Sequence, residues 1–135
     1  MLLAKAPTEY FSDFLRSLAA SKAGESLAET HVVAAFEIHG NSSRIVIDTK
    51  CEALDRAWFS VYANDAQAPL AEVNILARSE TFERVLRGEV GIMMAILARK
   101  IVVTGASRGA VPRAMRLVSA FEISLPLYRA ECSSP

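Results

Sequence analysis

The side chains best suited to acid-base chemistry in this chain are its two histidines, His31 and His39. They stand at the two ends of one alternating stretch with equal parity, about 25 Å apart at the usual rise of a strand, so they cannot share a metal ion. Neither has a cysteine or carboxylate beside it in the pattern of a nucleophilic triad. Glu80 and Glu83 precede Arg84 and Arg87 by four residues each, a spacing that makes ion pairs on an exposed helix face. Glu37, Asp48, Asp55 and Glu72 are isolated and read as solvent faces or strand ends. Cys51 and Cys132 have no motif spacing, which supports neither a disulfide framework nor a zinc site. No catalytic residue, metal site or cofactor follows from these positions.

One motif invites a cofactor. Ile101-Val-Val-Thr-Gly-Ala-Ser-Arg-Gly109 has the form of a phosphate-binding turn, in which glycines let backbone amides approach a dinucleotide pyrophosphate. That fold places the turn after its first strand and continues through several more strand and helix units. Here about one helix and a tail remain, Val111 stands at the third glycine position, and Pro112 intrudes. The motif reads as a glycine-rich loop between a strand and a helix.

The remaining chemistry is that of apolar surface. In the run from Val90 to Ala98, Met93 and Met94 carry unbranched thioethers that repack around ligands of varied shape. A helix over Ile92 to Ala98 would be apolar almost all round, so one face meets a sheet and another must meet something else apolar: a ligand, a partner or a neighbouring helix.

Several elements must hold that helix. Thr8 can cap a first helix, with Tyr10, Phe11, Phe14, Leu15 and Leu18 at helical spacing and Gly24 at its end. From His31 to His39 the period changes to two, with Val32, Ala34, Phe36 and Ile38 on one face. Gly40-Asn-Ser-Ser43 is turn chemistry leading into Arg44 to Asp48, an antiparallel hairpin. Runs Trp58 to Ala63 and Leu70 to Ala77 follow, and four strands on short connections imply antiparallel pairing. Ser79 caps a helix with the stripe Phe82, Val85 and Leu86, closed by Gly88. After the helix at Ile92, Lys100 to Thr104 is a fifth strand, which the helical crossover allows to lie parallel to an earlier one. Pro112 suits the first turn of a final helix whose inward side is Ala114, Met115, Leu117, Val118 and Phe121.

Composition narrows the class. At 135 residues, 52% hydrophobic and 22% charged, the chain is an ordered single domain over residues 1–122 with a tail over 123–135. Fifteen basic residues balance fifteen acidic ones, so no net field draws nucleic acid. Arg99, Lys100, Arg108, Arg113 and Arg116 make the last third locally basic, in the manner of a solvated helix face. The start, with Glu9 and Asp13 close to Met1, lacks the pattern of a secretory signal, and the longest apolar run is far short of the roughly 20 residues that span a bilayer. A cytoplasmic protein is expected.

Taken in order, Phe36-x-Ile38-x-Gly40, Glu72 to Ile75, Phe82 to Gly88, Lys100 to Gly105 and Ala114-Met-Arg-Leu117 resemble the sterol carrier protein 2 family over about residues 34–121. The resemblance implies an α+β fold, a five-stranded mixed, mainly antiparallel sheet with helices covering one face. It also implies non-enzymatic binding of a fatty acid, acyl-coenzyme A, phospholipid or sterol-like lipid in an apolar cavity. The expected lining is Phe82, Leu86, Met93, Met94, Leu97, Met115, Val118 and Phe121, with Arg99, Lys100 and Arg113 as head-group candidates. Two departures stand out: Arg99 occupies a place where the family often has glycine, and the loop from Ala106 to Val111 is longer than usual. The Ser-Ser-Pro end is no peroxisomal address. The expected partner is a lipid, with room for transient membrane contact and a homodimer. The alternatives are an accessory subunit with a collapsed cavity, docking through the helix at Ile92 or the segment Ile123 to Tyr128, and a small enzyme using His31 or His39.

Overall fold

Alternation from Val33 onward places Ala34, Phe36 and Ile38 on one side of a strand and Val33 and Ala35 on the other, and all five are buried. A strand buried on both faces belongs in the middle of a sheet, and that is where the computed structural model has it. The structure describes residues 7–39, 43–50, 57–105 and 109–133, and side chains from residue 12 to residue 126 within those ranges, Ala110 excepted. The turn residues 40–42, Cys51, Asp55 and Arg108, and the side chains of Thr8, Tyr10, Phe11, Tyr128 and Cys132, lie outside what is described.

The chain runs α1 (Pro7–Ala20), a 3-10 turn (Lys22–Gly24), α2 (Glu25–Ala28), β1 (Val33–His39), β2 (Ser43–Asp48), β3 (Ser60–Ala63), β4 (Val73–Arg78), α3 (Ser79–Leu86), α4 (Ile92–Leu97), β5 (Ile101–Gly105) and α5 (Ala110–Ser133). The sheet order is β3-β2-β1-β4-β5. The β1–β2 hairpin expected from the turn chemistry is present, antiparallel from Val33 opposite Asp48 to Ile38 opposite Ser43. β3 adds antiparallel to β2.

The expected parallel pair is real but misplaced in the sequence reading. β4 does not continue the meander beside β3; it returns to the free side of β1 and runs parallel to it, from Ala34 opposite Val73 to His39 opposite Arg78. β5 is then antiparallel to β4. The crossover is the loop between β3 and β4, whose Ala68 and Ala71 pack with Tyr62 against Val33, Ala35 and Val46 on the outer face. A loop that covers sheet surface does the work that was assigned to a helix.

The opposite face carries the main core: Leu15, Leu18 and Leu27 from the first helices, Phe82 and Val85 from α3, and Leu117 and Phe121 from α5 form one buried cluster with Ile45, Ile47, Val73 and Ile75. Gly24 does not end α1; it lies in the 3-10 turn, where a Cβ would overlap the carbonyl oxygen of Leu18, so only glycine lets the turn fold back against the helix. His31 lies outside β1, with φ of 49°. Thr8 is inside the first turn of α1. Ser79 is the first residue of α3 rather than its cap; Arg78 holds the cap position with extended backbone and no side-chain bond. α5 does not stop near residue 122 but continues through Pro126 to Ser133, so residues 123–133 belong to the helix.

Candidate functional site

Three phenylalanines form the floor of the space between sheet and helices. Phe36 on β1 meets Phe82 of α3 edge-on at 6.0 Å and Phe121 of α5 edge-on at 5.8 Å, the arrangement that aromatic quadrupoles favour. Ile75 and Ile101 from the sheet, Val85 and Leu86 from α3, and Val118 and Leu125 from α5 surround them, and Ile92 and Ile96 of α4 close the top. No polar surface lines this space, and its volume is about 20 Å³. That is room for about one water molecule, and a cavity near 150 Å³ is needed to hold benzene. The empty tunnel implied by the resemblance is therefore nearly filled by protein side chains in this structure.

Of the residues expected to line the cavity, Phe82, Leu86, Val118 and Phe121 do so. Met93, Met94, Leu97 and Met115 do not. Met94 is 64% and Leu97 72% exposed, on the side of α4 turned to solvent. The residues of α4 that face inward are Ile92, Ala95 and Ile96, and only Ala95 is fully buried. A helix with apolar side chains all round gives periodicity no contrast, so the inward face could not be picked from pattern. Phe36 and Ile75 were already assignable to the inner face by strand parity; Leu125 was missed because it was placed in a tail.

α4 rests on a thin foundation. Its cap residue Gly91 offers no side-chain bond, and the backbone N–H of Met93 instead donates to Oε1 of Glu122 on α5 at 2.9 Å. Beside this contact lies a groove of about 190 Å³ between the α3–α4 turn and α5. Val85, Ile92 and Leu125 form a wall common to the groove and the closed cavity.

The head-group candidates lie elsewhere. Nζ of Lys50 sits 2.7 Å from Oε1 of Glu72, and the Arg113 guanidinium 2.6 Å from its Oε2. Val33 N–H donates to Oε1 at 3.3 Å, beside the ladder bond from Glu72 N–H to the Val33 carbonyl. Burial alone would raise the pKa of Glu72, but hydrogen bonds from Lys50 and Val33 together with the charges of Lys50 and Arg113 outweigh it and hold the carboxyl below its usual range. Arg113 is thus engaged in fixing the start of α5 to the sheet. Arg99 and Lys100 are exposed past the end of α4 and line neither the cavity nor the groove. Of the expected helix ion pairs, Glu83–Arg87 forms at 3.6 Å, while Arg84 pairs with Glu89 at 3.7 Å.

Among the described residues no cluster of His, Cys, Asp or Glu could hold a metal ion, and no helix is long and apolar enough to cross a membrane. The glycine-rich segment after Ile101 follows an edge strand paired antiparallel with β4, which is not the setting of a dinucleotide turn.

No protein-family model and no curated protein sequence matches this chain. Solved structures do. Sterol carrier protein 2 from Yarrowia lipolytica, in its apo form, superposes with a TM-score of 0.63 at 17% identity, over 93% of this chain and 95% of that one. The UbiJ-SCP2 ubiquinone synthesis protein matches with a TM-score of 0.58 at 15% identity, over 89% and 93%. The sec-alkylsulfatase Pisa1 from Pseudomonas sp. matches with a TM-score of 0.58 at 12% identity over 87% of this chain, which spans 16% of that enzyme. The chain has the α+β fold of sterol carrier protein 2 domains, with its five-stranded mixed sheet and helices over one face.

Proposed function

We propose that this protein binds a hydrophobic, lipid-like ligand without chemical change, between the inner face of the sheet and helices α3, α4 and α5. The observation that carries the reading is the wholly apolar space floored by Phe36, Phe82 and Phe121 and roofed by a six-residue helix with one fully buried side chain. The space is small because α4 has settled into it. Lifting α4 exposes Ala95 and part of the apolar floor, while Ile92 and Ile96 are already partly exposed. An entering chain replaces their contacts and adds its own at about 0.8 kcal/mol per methylene buried. A long acyl chain gains on the order of 10 kcal/mol, of which several are lost to association and to moving α4, leaving micromolar affinity. The likeness to the Yarrowia sterol carrier protein supports this reading through shared fold.

Fluorescence titration with the neutral apolar probe N-phenyl-1-naphthylamine, with native mass spectrometry of freshly purified protein, tests it. The wild type takes up the probe. Ile96→Asp, which puts a charge into the cavity, abolishes uptake, whereas Met94→Asp on the solvent side leaves it unchanged, circular dichroism confirming that each variant is folded. Equal loss in both variants, or a wild type that binds no probe and carries no lipid, defeats the proposal.

The second reading is an accessory module whose cavity stays closed. The 20 Å³ volume favours it, as does the likeness to a ubiquinone synthesis protein of this fold. It requires the wild type to exclude the probe and to elute as a stable complex masking Met94 and Leu97.

A further inference from the structure

Resting on the lipid-binding reading, we infer that the groove beside Glu122 is the mouth of the cavity and that Glu122 selects lipids with a neutral, hydrogen-bond-donating head group over carboxylates and phosphates. Among the described residues, Glu122 is the charged side chain that lines this groove, with Val85, Gly88, Val90, Gly91, Ile92, Leu125 and Pro126. The walls it shares with the closed cavity, Val85, Ile92 and Leu125, are what a ligand passing inward must displace. A lipid whose tail lies over the three phenylalanines therefore leaves its head beside a carboxylate. Oε1 of Glu122 accepts from the Met93 N–H, and a carboxylate has a second oxygen, Oε2, that can accept from a hydroxyl.

Among the described residues, no cation that an anionic head would need lines this place. Arg113 is bound to Glu72 at the start of α5, and Arg99 and Lys100 lie beyond the opposite end of α4. Near the mouth, Arg84 and Arg87 are each paired with a glutamate of their own, Glu89 and Glu83. A ligand carboxylate 4 Å from Glu122 would be repelled by an amount that, in water, corresponds to on the order of fivefold in affinity.

Displacement of N-phenyl-1-naphthylamine by dodecan-1-ol and by dodecanoate at pH 8 tests the inference with one tail and two heads. The wild type prefers the alcohol, and the alcohol-to-carboxylate affinity ratio falls about fivefold in Glu122→Gln, which keeps an acceptor for the Met93 N–H. In Glu122→Lys the ratio falls further and dodecanoate binds better than in the wild type. A ratio that is the same in all three proteins, or a wild type that prefers dodecanoate, overturns head-group selection while leaving lipid binding intact. A wild type that takes up no probe overturns both.

Discussion

α3 and α4 follow one another in the chain, lie over the same sheet and end in the same way, yet they bear opposite relations to their sequences. α3 presents one apolar stripe, Phe82, Val85 and Leu86, and all three are buried. α4 is apolar at every position, and its largest exposed side chains, Met94 and Leu97, are as hydrophobic as the Ile92 and Ile96 that face in. The first helix is fixed by three buried side chains; the second by one, Ala95, together with two half-buried isoleucines and a carboxylate on its backbone. On the lipid-binding proposal, α4 is the part expected to move when a guest enters and α3 the part expected to stay.

The sharpest way to break the comparison is to truncate one side chain in each helix. Phe82→Ala removes a buried ring packed edge-on against Phe36, and urea unfolding is expected to show a loss of about 3–5 kcal/mol. Leu97→Ala, at a side chain 72% exposed, is expected to change stability by no more than about 0.5 kcal/mol. Similar losses at both sites would mean that α4 is as firmly packed as α3, and the roof would not be the moving part.

The same contrast decides what could be read before any coordinates. Strand parity placed Phe36, and the α3 stripe placed Phe82 and Leu86, because alternating burial leaves a clear signal there. For α4 no polar residue marks the solvent side, so Met93, Met94 and Leu97 were as credible as Ile92 and Ile96. Side-chain chemistry misled at this point, since flexible thioethers suit a cavity wall yet here lie outside it. The position of β4 was illegible for another reason: pairing partners are set by which strand is buried on both faces, and the loop carrying Ala68 and Ala71 announced no crossover. Leu125 was lost because residues 123–135 read as a tail, whereas the last helix runs through Pro126 to Ser133.

The anchor of α5 sharpens the comparison from below, because the fixed wall depends on it. Glu72 has its pKa lowered in the folded state, so it contributes stability above the ordinary carboxylate pKa of about 4.3 and loses it as pH falls through the lower folded value. Wild-type stability should therefore decline in acid below about pH 4 more steeply than that of Glu72→Gln. At pH 7 the variant is expected to be about 1 kcal/mol less stable, in keeping with partly exposed ion pairs. Parallel acid titrations of the two proteins by circular dichroism would expose a clasp of no consequence.

The smallest effect lies where the two helices are most alike. In α3 the N–H groups of Gly88 and Glu89 bond to the carbonyls of Val85 and Arg84; in α4 those of Arg99 and Lys100 bond to Ile96 and Ala95. Both are Schellman ends, which require a left-handed residue after the helix. Gly88 supplies it at φ of 80°, and Arg99 is forced into it at φ of 60°. Arg99 is the position at which the sequence resemblance to the sterol carrier protein 2 family implies glycine, the residue that a left-handed backbone suits. Left-handed geometry costs a side chain about 1–2 kcal/mol, and glycine offsets part of that relief by its greater freedom when unfolded. Arg99→Gly should stabilise the protein by about 0.5 kcal/mol, and Gly88→Ala should destabilise it by about 1 kcal/mol. If Arg99→Gly is instead neutral in denaturant but slows probe uptake, the strain is stored in the hinge of the roof, and relieving it holds α4 down.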